Sequence, residues 1–443
     1  MPDIKTTAHK ITRRLMDAGH VTYFAGGCVR DSLLGKTPKD YDIATSATPD
    51  EVLKLFPKSD PVGAHFGVIL VRENGLPFEI ATFRHDGSYQ DGRHPESVTF
   101  STPEEDAKRR DFTINGLFEH PETGEIIDFV DGRTDLKNNT LRAIGIAEQR
   151  FQEDALRLMR TIRFATCLEF EIEATTWKAV CDNHSLLQHI SMERIRDEFS
   201  LILLSPHRAR GLDLLTQSQL MQHIIPEVYD LIGCEQPPQW HPEGDVYTHT
   251  RIMLDMLGNN PSIELTLGVL LHDIGKPPTY SYDEADDRIR FSGHDRVGAD
   301  MTEGILRKLK YPNKIAQAAC SMVANHMNFM NVQKMRTAKV KRFMSRPTFE
   351  DEMELHRVDC ASSNGFTENY DFLRQKQAEF AAAPLIPTPL ITGKDLIHLG
   401  LKPGPAFKSV LTNIQTEQLE GKIQEREQAL NYAKKWIEKE NQD

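Results

Sequence analysis

The sequence lacks the features that mark membrane-bound, exported and general nucleic-acid-binding proteins. Its longest apolar run, around Leu265 to Leu271, is interrupted by Gly268 and is much too short to span a membrane. The opening residues, MPDIKTTAHK, contain no apolar segment that would direct export, so we expect a cytoplasmic protein with no membrane partner. A net charge of −12 argues against a general polyanion binder, because non-specific affinity for nucleic acid comes largely from basic charge.

Cysteine is also sparse, and the sequence contains no internal repeat and no low-complexity stretch. The six cysteines are scattered without C-x-x-C spacing, at Cys28, Cys167, Cys181, Cys234, Cys320 and Cys360. This pattern is typical of a reducing compartment and argues against a cysteine zinc site. The 443 residues allow roughly two to four ordinary domains.

The strongest chemical pattern present lies between Tyr23 and Thr45, in YFAGGCVRDSLLGKTPKDYDIAT. After a β-favouring run and a short helical segment, the chain returns in a second strand that carries Asp40 and Asp42. Residues two apart on a strand point to the same face, so both carboxylates are expected to project together. Paired carboxylates suit Mg²⁺, which proteins usually hold with a few carboxylates plus substrate phosphates. We therefore predict that Asp40 and Asp42 are catalytic metal ligands, with Glu79 of FEIATFR as a third ligand or as a support for one.

The turn between the two strands adds phosphate-binding chemistry. Gly26 and Gly27 allow the backbone to approach a phosphate closely, and the helix start behind them offers free N–H groups. Arg30 adds a charged fork for phosphate oxygens. The combination predicts a site that holds a nucleoside triphosphate over two metal ions.

This ordered combination resembles the head of the class II nucleotidyltransferases, the family of bacterial CCA-adding enzymes and poly(A) polymerases. The resemblance implies an α/β head of nucleotidyltransferase fold, with a small mixed β-sheet and helices, followed by an all-α neck. It also implies template-independent addition of CCA, or its terminal A, to the 3′ end of tRNA from CTP and ATP.

Two further segments extend the resemblance. The first, RRDFTIN, is similar to the family's second motif and implies nucleotide-binding roles for Arg110, Asp111 and Asn115. The family usually continues with alanine where this chain has Gly116, a departure that we expect to be harmless. The second, the polar stretch from Arg84 to Val98, is predicted to be a surface loop. The family needs a flexible loop there for adding the terminal adenosine, and its full length favours CCA or A addition over CC addition.

The segment Phe151 to Leu168, FQEDALRLMRTIRFATCL, predicts one amphipathic helix on which Asp154, Arg157 and Arg160 lie near one face. Read alone, these residues are salt-bridge partners. The resemblance implies instead that they bind the nucleotide and that the aspartate and arginine choose the base. A carboxylate accepts from the exocyclic amine and a guanidinium donates to ring acceptors, which selects ATP and CTP. In SMERIRDEF, Arg194 and the glutamate before it are expected to brace this helix.

A second set of histidines and aspartates follows the linker-like Gln236-Pro237-Pro238. Its order, His, His-Asp, His, His, Asp, resembles the HD phosphohydrolase superfamily and implies these metal ligands: His249, His272, Asp273, His294, His326 and Asp359. Such ligands suit Mn, Fe, Ni or Zn, and a water between the metals would be the nucleophile. Lys276 is expected to contact a substrate phosphate. A vestigial site and oxygenase chemistry are the alternatives.

The predicted organisation is a head (1–150), a helical neck (151–235), an HD domain (236–365) and a helical tail that contacts tRNA (366–443). The basic segment Lys334 to Arg346 is predicted either to contact RNA phosphates or to be a solvated helix face. Rival functions are a poly(A) polymerase, an A-only or CC-only enzyme, and a catalytically silent RNA-binding protein. The oligomeric state is not indicated.

Overall fold

The structure is a computed structural model that describes residues 3–61, 64–87 and 98–440. The chain divides into two compact units. The first comprises residues 1–229 with 308–310, and the second comprises residues 230–307 and 311–443. This division lies close to the predicted boundary between neck and HD domain. No helix in the described parts of the chain has the length and apolar character needed to cross a membrane.

The first unit is organised around a six-stranded mixed sheet, as predicted. The strands of this unit are, in chain order, β1 (Thr22–Ala25), β2 (Asp42–Thr45), β3 (Val68–Glu73), β4 (Leu76–Thr82), β5 (Arg84–Asp86), β6 (Val98–Phe100), β7 (Leu117–Glu119), β8 (Ile126–Asp128), β9 (Thr140–Leu141) and β10 (Glu171–Ile172). Of these, β5 pairs with β6 and β9 pairs with β10 in two separate two-stranded sheets. The sheet order is β3-β4-β2-β1-β7-β8. Only β2 and β4 run parallel within it, with Ile43 opposite Ile80.

The first unit contains these helices: α1 (Ile4–Asp17), α2 (Gly27–Leu33), α3 (Pro49–Leu55), α4 (Pro103–Lys108), α5 (Gly132–Lys137), α6 (Ala147–Glu153), α7 (Leu156–Leu168), α8 (Ala174–Asp182), α9 (Met192–Leu203), α10 (Arg208–Gln217) and α11 (Met221–Ile224). Apolar side chains of α1, the sheet and α7 form one core, which includes Ile11, Phe24, Ile80 and Phe164. Removal of this area from water is the main stabilising contribution.

Two local predictions are wrong, each for an identifiable reason. The segment Phe151 to Leu168 is not one helix, because α6 ends at Glu153 and α7 begins at Leu156. Asp154 between them is extended, and its carboxylate accepts a hydrogen bond from the Leu156 N–H at 3.1 Å. Aspartate side chains compete in this way with helical hydrogen bonding.

The second correction concerns the predicted surface loop. Its ends pair as β5 and β6, with Arg84 opposite Phe100, whereas residues 88–97 lie outside the described residues.

Gly116 is tightly enclosed. A Cβ there would lie 2.7 Å from Val130 Cγ2 and 3.2 Å from Ile144 Cδ1. Val130 and Ile144 therefore occupy the space that an alanine side chain would need here.

The second unit is helical apart from one hairpin. Its elements are α12 (Val246–Met256), α13 (Ile263–Leu271), β11 (Tyr280–Asp283), β12 (Arg288–Phe291), α14 (His294–Lys308), α15 (Asn313–Asn325), α16 (Thr337–Met344), α17 (Phe349–Ser362), α18 (Glu368–Phe380), α19 (Gly393–His398), α20 (Pro405–Leu419) and α21 (Arg426–Glu440). Every residue of α13 from Leu265 onward is buried, and this helix packs against α12, α15 and α17. An apolar helix of this kind forms the centre of a helical domain.

The basic segment that precedes and includes α16 contacts the tail. Lys341 Nζ donates to the Leu419 carbonyl at 3.3 Å, and Arg342 donates to Thr416 Oγ1 at 2.8 Å. Cations near the last carbonyls of a helix are favourable there, so these two side chains stabilise the end of α20. Lys341 and Arg342 are half-buried against α20, so the prediction of a solvated helix face does not describe these two residues.

Candidate functional sites

The head carboxylates meet at the edge where β2 begins. Asp40 precedes the strand and Asp42 is its first residue, and both are exposed, whereas Tyr41 and Ile43 are buried. Glu79 stands one residue before Ile80, as Asp42 stands one residue before Ile43, so the parallel register places both on the same face. This arrangement brings the two predicted metal ligands and their predicted support together.

The electrostatics of Asp42 match this crowding. Although Asp42 is exposed as a residue, the surrounding protein partly desolvates its carboxylate. This desolvation, followed by the charges of Asp40 and Glu79, raises the pKa of Asp42 to about 6. Arg110 opposes the shift. A group of acids that raise one another's pKa gains most from a cation that neutralises them.

The glycine turn lies against Arg110. Gly26 has φ +70°, and a Cβ there would lie 2.9 Å from Arg110 Nη1, so glycine is needed for both the backbone conformation and the close approach. A Cβ at Gly27 would make only an ordinary contact, at 3.7 Å from Arg30 Nη2. Asp106, which sequence reasoning missed, holds Arg110 through Oδ2 at 3.1 Å and Arg109 through Oδ1 at 2.7 Å. The i,i+3 and i,i+4 spacing was the available signal.

Arg30 is buried rather than open to solvent. Its Nη1 donates to Asn115 Oδ1 at 2.6 Å, and its Nε and Nη2 donate to Asp31 Oδ1 at 2.8 and 2.7 Å. Arg30, the predicted phosphate ligand, is thus hydrogen-bonded to Asn115, another predicted site residue, and to its neighbour Asp31.

Asp111 is also fully engaged. Its Oδ1 accepts from the Phe112 N–H and from Asn115 Nδ2, at 2.8 and 3.0 Å, and its Oδ2 accepts from Arg160 Nε and Nη2, at 2.8 and 2.6 Å. Burial alone would raise the pKa of Asp111, but the Arg160 guanidinium and the Asn115 hydrogen bond lower it to about 2. Two predicted nucleotide ligands therefore neutralise each other and tie α7 to the RRDF segment.

The predicted base-selecting pair is held in place by protein partners. Arg157 donates through Nη1 to Glu153 Oε2 at 2.9 Å and through Nη2 to the Arg109 carbonyl at 3.1 Å. Asp154 pairs with Arg194 at 3.2 Å, which is the bracing role expected for Arg194. A guanidinium carries five N–H donors and a carboxylate has about four acceptor sites, so both groups keep capacity for a ligand.

All six predicted HD ligands come together in the second unit. They lie at helix ends or on helices that pack around α13. His272 Nε2 lies 3.0 Å from Asp273 Oδ2, while His294 and His326 Nε2 lie 3.5 and 3.8 Å from Asp273 Oδ1. On the other side, His249 Nε2 lies 3.2 Å from Asp359 Oδ1. The cluster forms part of the wall of a cavity of about 460 Å³.

Three of these imidazoles share one way of being oriented. The Nδ1 atoms of His272, His294 and His326 lie 2.8, 2.8 and 2.6 Å from the backbone carbonyl three residues earlier. A ring nitrogen that donates to a carbonyl leaves the other nitrogen as the lone-pair donor, which is the usual arrangement of metal-binding histidine. All three Nε2 atoms therefore point towards Asp273.

The negative charge of Asp273 is balanced by His272 and Lys276. Burial would raise the pKa of Asp273, but His272 and Lys276 hold it well below its usual value. Lys276 is buried, with Nζ 2.7 Å from Asp273 Oδ2 and 2.5 Å from Gln236 Oε1. Gln236, predicted to be part of a linker, is thus an internal hydrogen-bond partner.

The donor sets of the two sites fit different metals. The head offers oxygen ligands only, as Mg²⁺ prefers. The HD cluster offers imidazole with carboxylate, which suits a transition metal. Among the described residues, the buried Nε2 atoms of His249 and His272 make no well-directed hydrogen bond, although each lies 3.2 or 3.0 Å from a carboxylate oxygen. A metal ion would satisfy both.

Sequence reasoning missed the residues that support the HD cluster. Glu243 accepts from His249 and from His241, and neither Glu243 nor His241 stands at a spacing that relates it to the HD ligands. Only the fold brings them to the site.

Family models match three segments of the chain. Residues 22–142 match the poly A polymerase head domain, residues 169–231 match the probable RNA and SrmB-binding site of polymerase A, and residues 245–359 match the HD domain.

Solved structures resemble the whole chain. A Bacillus stearothermophilus CCA-adding enzyme, crystallised in complex with CTP, has a TM-score of 0.76 and 27% identity, and the likeness covers 100% of both chains. A Thermotoga maritima CCA-adding enzyme complexed with tRNA has a TM-score of 0.62 at 18% identity, covering 99% of this chain and 96% of that one. The second likeness concerns the fold alone.

Relatives of known name give the same result. A CCA-adding enzyme of Lactobacillus delbrueckii subsp. bulgaricus is 50% identical over 198 residues, which are 44% of this chain and 50% of the relative. A CCA-adding enzyme of Lactobacillus helveticus is 34% identical over 421 residues, which are 94% of this chain and 93% of the relative. With this identity over almost the full length of both proteins, the chain belongs to the CCA-adding enzyme family.

Proposed function

We propose that the protein adds CCA, or its terminal A, to the 3′ end of tRNA from CTP and ATP without a nucleic-acid template. The observation that carries the proposal is the convergence of Asp40, Asp42 and Glu79 beside the Gly26 turn and Arg110. Membership of the CCA-adding enzyme family supports it.

In this proposal Asp40 and Asp42 hold Mg²⁺, which when bound activates the RNA 3′-hydroxyl and stabilises charge on the triphosphate. Because Gly26 has no side chain, a phosphate can approach the backbone at this turn, and Arg110 supplies positive charge next to Gly26. Gly27 starts the helix behind the turn.

Arg30, Asn115, Asp111 and Arg160 form a continuous hydrogen-bonded chain behind this turn. We propose that they hold the nucleotide site in shape and that Arg30 and Asn115 face the nucleotide. A preformed network of this kind lowers the reorganisation needed when the substrate binds.

Base selection is proposed for Asp154 and Arg157. Because each is fixed by a salt bridge and keeps unused hydrogen-bonding capacity, the pair presents an acceptor and a donor at fixed positions. Uracil and guanine present the opposite polarity at the amine and carbonyl positions, so their binding would leave polar groups unpaired.

The test is incubation with Mg²⁺, CTP and ATP of tRNA transcripts that end before the CCA, after C and after CC, followed by sequencing of the products. CCA completed on every transcript supports the full activity. Addition of A only to the CC-ended transcript identifies half of a divided pair, and long adenosine tracts identify a poly(A) polymerase. Lack of any magnesium-dependent product identifies a silent RNA-binding protein.

We propose, as a second activity, metal-dependent phosphohydrolysis at the HD cluster, acting on phosphate esters or 2′,3′-cyclic phosphates at RNA ends. The convergence of three Nδ1-anchored imidazoles on Asp273, next to a cavity, favours it. Mn, Fe, Ni or Zn would supply Lewis acidity there. Lys276 is the proposed contact for a phosphate oxygen. Failure of protein loaded with each metal to hydrolyse these esters would favour a vestigial site.

A further inference from the structure

The imidazole of His249 is oriented differently from the other HD histidines. Its Nδ1 lies 2.6 Å from Glu243 Oε1, whereas the other three Nδ1 atoms contact backbone carbonyls. Its Nε2 points to Asp359 at 3.2 Å, and no part of the ring is exposed. A charged carboxylate therefore stands behind one ligand of the cluster and not behind the others.

Glu243 also holds a second imidazole. Its Oε1 accepts from His241 Nδ1 at 2.9 Å, and the rings of His241 and His249 meet edge to face, with centroids 4.9 Å apart. The Glu243 side chain is only 7% exposed, and its Oε2 has no hydrogen-bond partner within the described ranges of the chain. His249 offers only Nδ1 to Glu243, because its Nε2 is directed at Asp359 in the HD cluster, so Glu243 contacts this ligand from the side away from the cluster.

We infer that Glu243 is a positioning residue of the HD centre, acting through His249. The carboxylate fixes the tautomer with the proton on Nδ1, turns Nε2 towards Asp359 and raises the basicity of Nε2 as a ligand. His241, held by the same oxygen, lies on the cavity wall and is not required for this effect. The inference rests on the proposed metal-dependent activity of the HD cluster.

The test measures metal binding to the full-length protein, stripped of metal and then titrated with Mn²⁺ alone, by the loss of the free-ion electron paramagnetic resonance signal. Glu243→Gln is expected to weaken Mn²⁺ binding by about 10- to 100-fold, the usual effect of losing a carboxylate behind a ligating histidine. Glu243→Ala should weaken it at least as much. Reconstitution with Co²⁺ should give a changed visible absorption spectrum in Glu243→Gln, which a merely structural role would not produce.

Glu284→Gln, which changes an exposed acid of the hairpin turn, is the matched control. It is expected to bind Mn²⁺ within about threefold of the unchanged protein. Unaltered CCA addition and thermal unfolding establish that each variant is folded.

Mn²⁺ affinity and a Co²⁺ spectrum in Glu243→Gln equal to those of the unchanged protein would overturn the inference and leave the HD activity standing. An equal loss in Glu284→Gln would also overturn it. If the unchanged protein binds neither ion, the proposed HD activity fails first and the inference fails with it.

Discussion

The two proposed metal sites of this protein are built in opposite ways. In the head, Asp40, Asp42 and Glu79 are exposed; Asp42 and Glu79 lie on the neighbouring strands β2 and β4, and Asp40 lies just before β2. In the HD domain, the ligands come from several helices, and His249, His272 and Asp273 are almost entirely enclosed. One site is an open set of oxygens, and the other is a closed set of imidazoles around carboxylates.

The difference indicates when each site binds its metal. An open carboxylate pair completes its coordination with water or substrate phosphate, so Mg²⁺ binds weakly until the nucleotide arrives. An enclosed cluster in which the histidine tautomers are already fixed holds a transition metal without substrate. We therefore expect the rate of nucleotide incorporation by the head to depend on the Mg²⁺ concentration in the assay, and the HD domain to retain its metal through purification.

The largest expected effect comes from breaking the head site alone. Asp42→Asn keeps the shape of the side chain but removes the charge that meets the cation, so nucleotide incorporation should fall on the order of 1,000-fold or more, about 4 kcal/mol of transition-state stabilisation. Single-turnover incorporation of CTP into a transcript lacking CCA measures it. Asp42→Ala should be at least as inactive.

The control for this variant is Asp17→Asn, which removes an exposed carboxylate at the end of α1. It should incorporate CTP at the normal rate. Asp42→Asn should also retain its HD metal, and full incorporation by Asp42→Asn would rule out the assignment of the head site.

The reverse experiment breaks the HD site alone. Asp273 lies within 4 Å of three ligand nitrogens, so Asp273→Asn should lower the affinity for Mn²⁺ by more than about 100-fold. Metal analysis of the purified protein measures the loss. CCA addition should stay within about twofold of normal, and retention of metal by this variant would contradict the assigned ligand set.

The same contrast explains what the sequence could predict. The head ligands are neighbours in sequence or in register, so their proximity could be predicted from the chain, although β2 begins only at Asp42 and Asp40 lies before it. The HD ligands were recognisable only as an ordered set, and their supports were not recognisable at all. Glu243 reaches His249 because the segment before α12 folds back onto it, which no local periodicity encodes.

The neck shows a limit of helical periodicity. The spacing of Asp154, Arg157 and Arg160 suggested one continuous helix face, but Asp154 is extended and its side chain bonds the N–H of Leu156. The apolar pattern continues through the break because Phe151 of α6 and Leu158 and Met159 of α7 are all buried. Periodicity therefore located the buried face correctly and missed the interruption.

A smaller effect is expected where Asp154 and Arg157 of the neck are proposed to select the base. Arg157→Ala should reduce discrimination of CTP over UTP by about 10- to 100-fold, the range of a hydrogen bond to a charged group, before it abolishes chemistry. Arg157→Lys keeps the charge without the fork and should fall between. The ratio of kcat/KM for the two nucleotides measures the effect.

Arg72→Ala, which removes an exposed arginine of β3, should leave this ratio unchanged. If Arg157→Ala slows CTP and UTP incorporation equally, Arg157 is a structural partner of Glu153 and not a base reader.

The smallest effect concerns a buried carboxylate that is paired permanently. The Arg160 guanidinium and Asn115 lower the pKa of Asp111 to about 2, against 3.8 for an ordinary aspartate. A lowered folded-state pKa contributes stability that is fully present above the ordinary value and is lost as pH falls through the folded value. Between pH 5 and pH 3 the unchanged protein should therefore lose about 1 kcal/mol more unfolding free energy than Asp111→Asn, measured by urea denaturation at both pH values.

Equal losses would mean that Asp111 is not held ionised by Arg160. A greater loss confined to the unchanged protein would identify Asp111 as an acid-labile tie between α7 and the RRDF segment. Asp273 differs from Asp111 in its partners. Asp111 is neutralised by a guanidinium, whereas Asp273 lies beside imidazole Nε2 atoms that could also bind a metal.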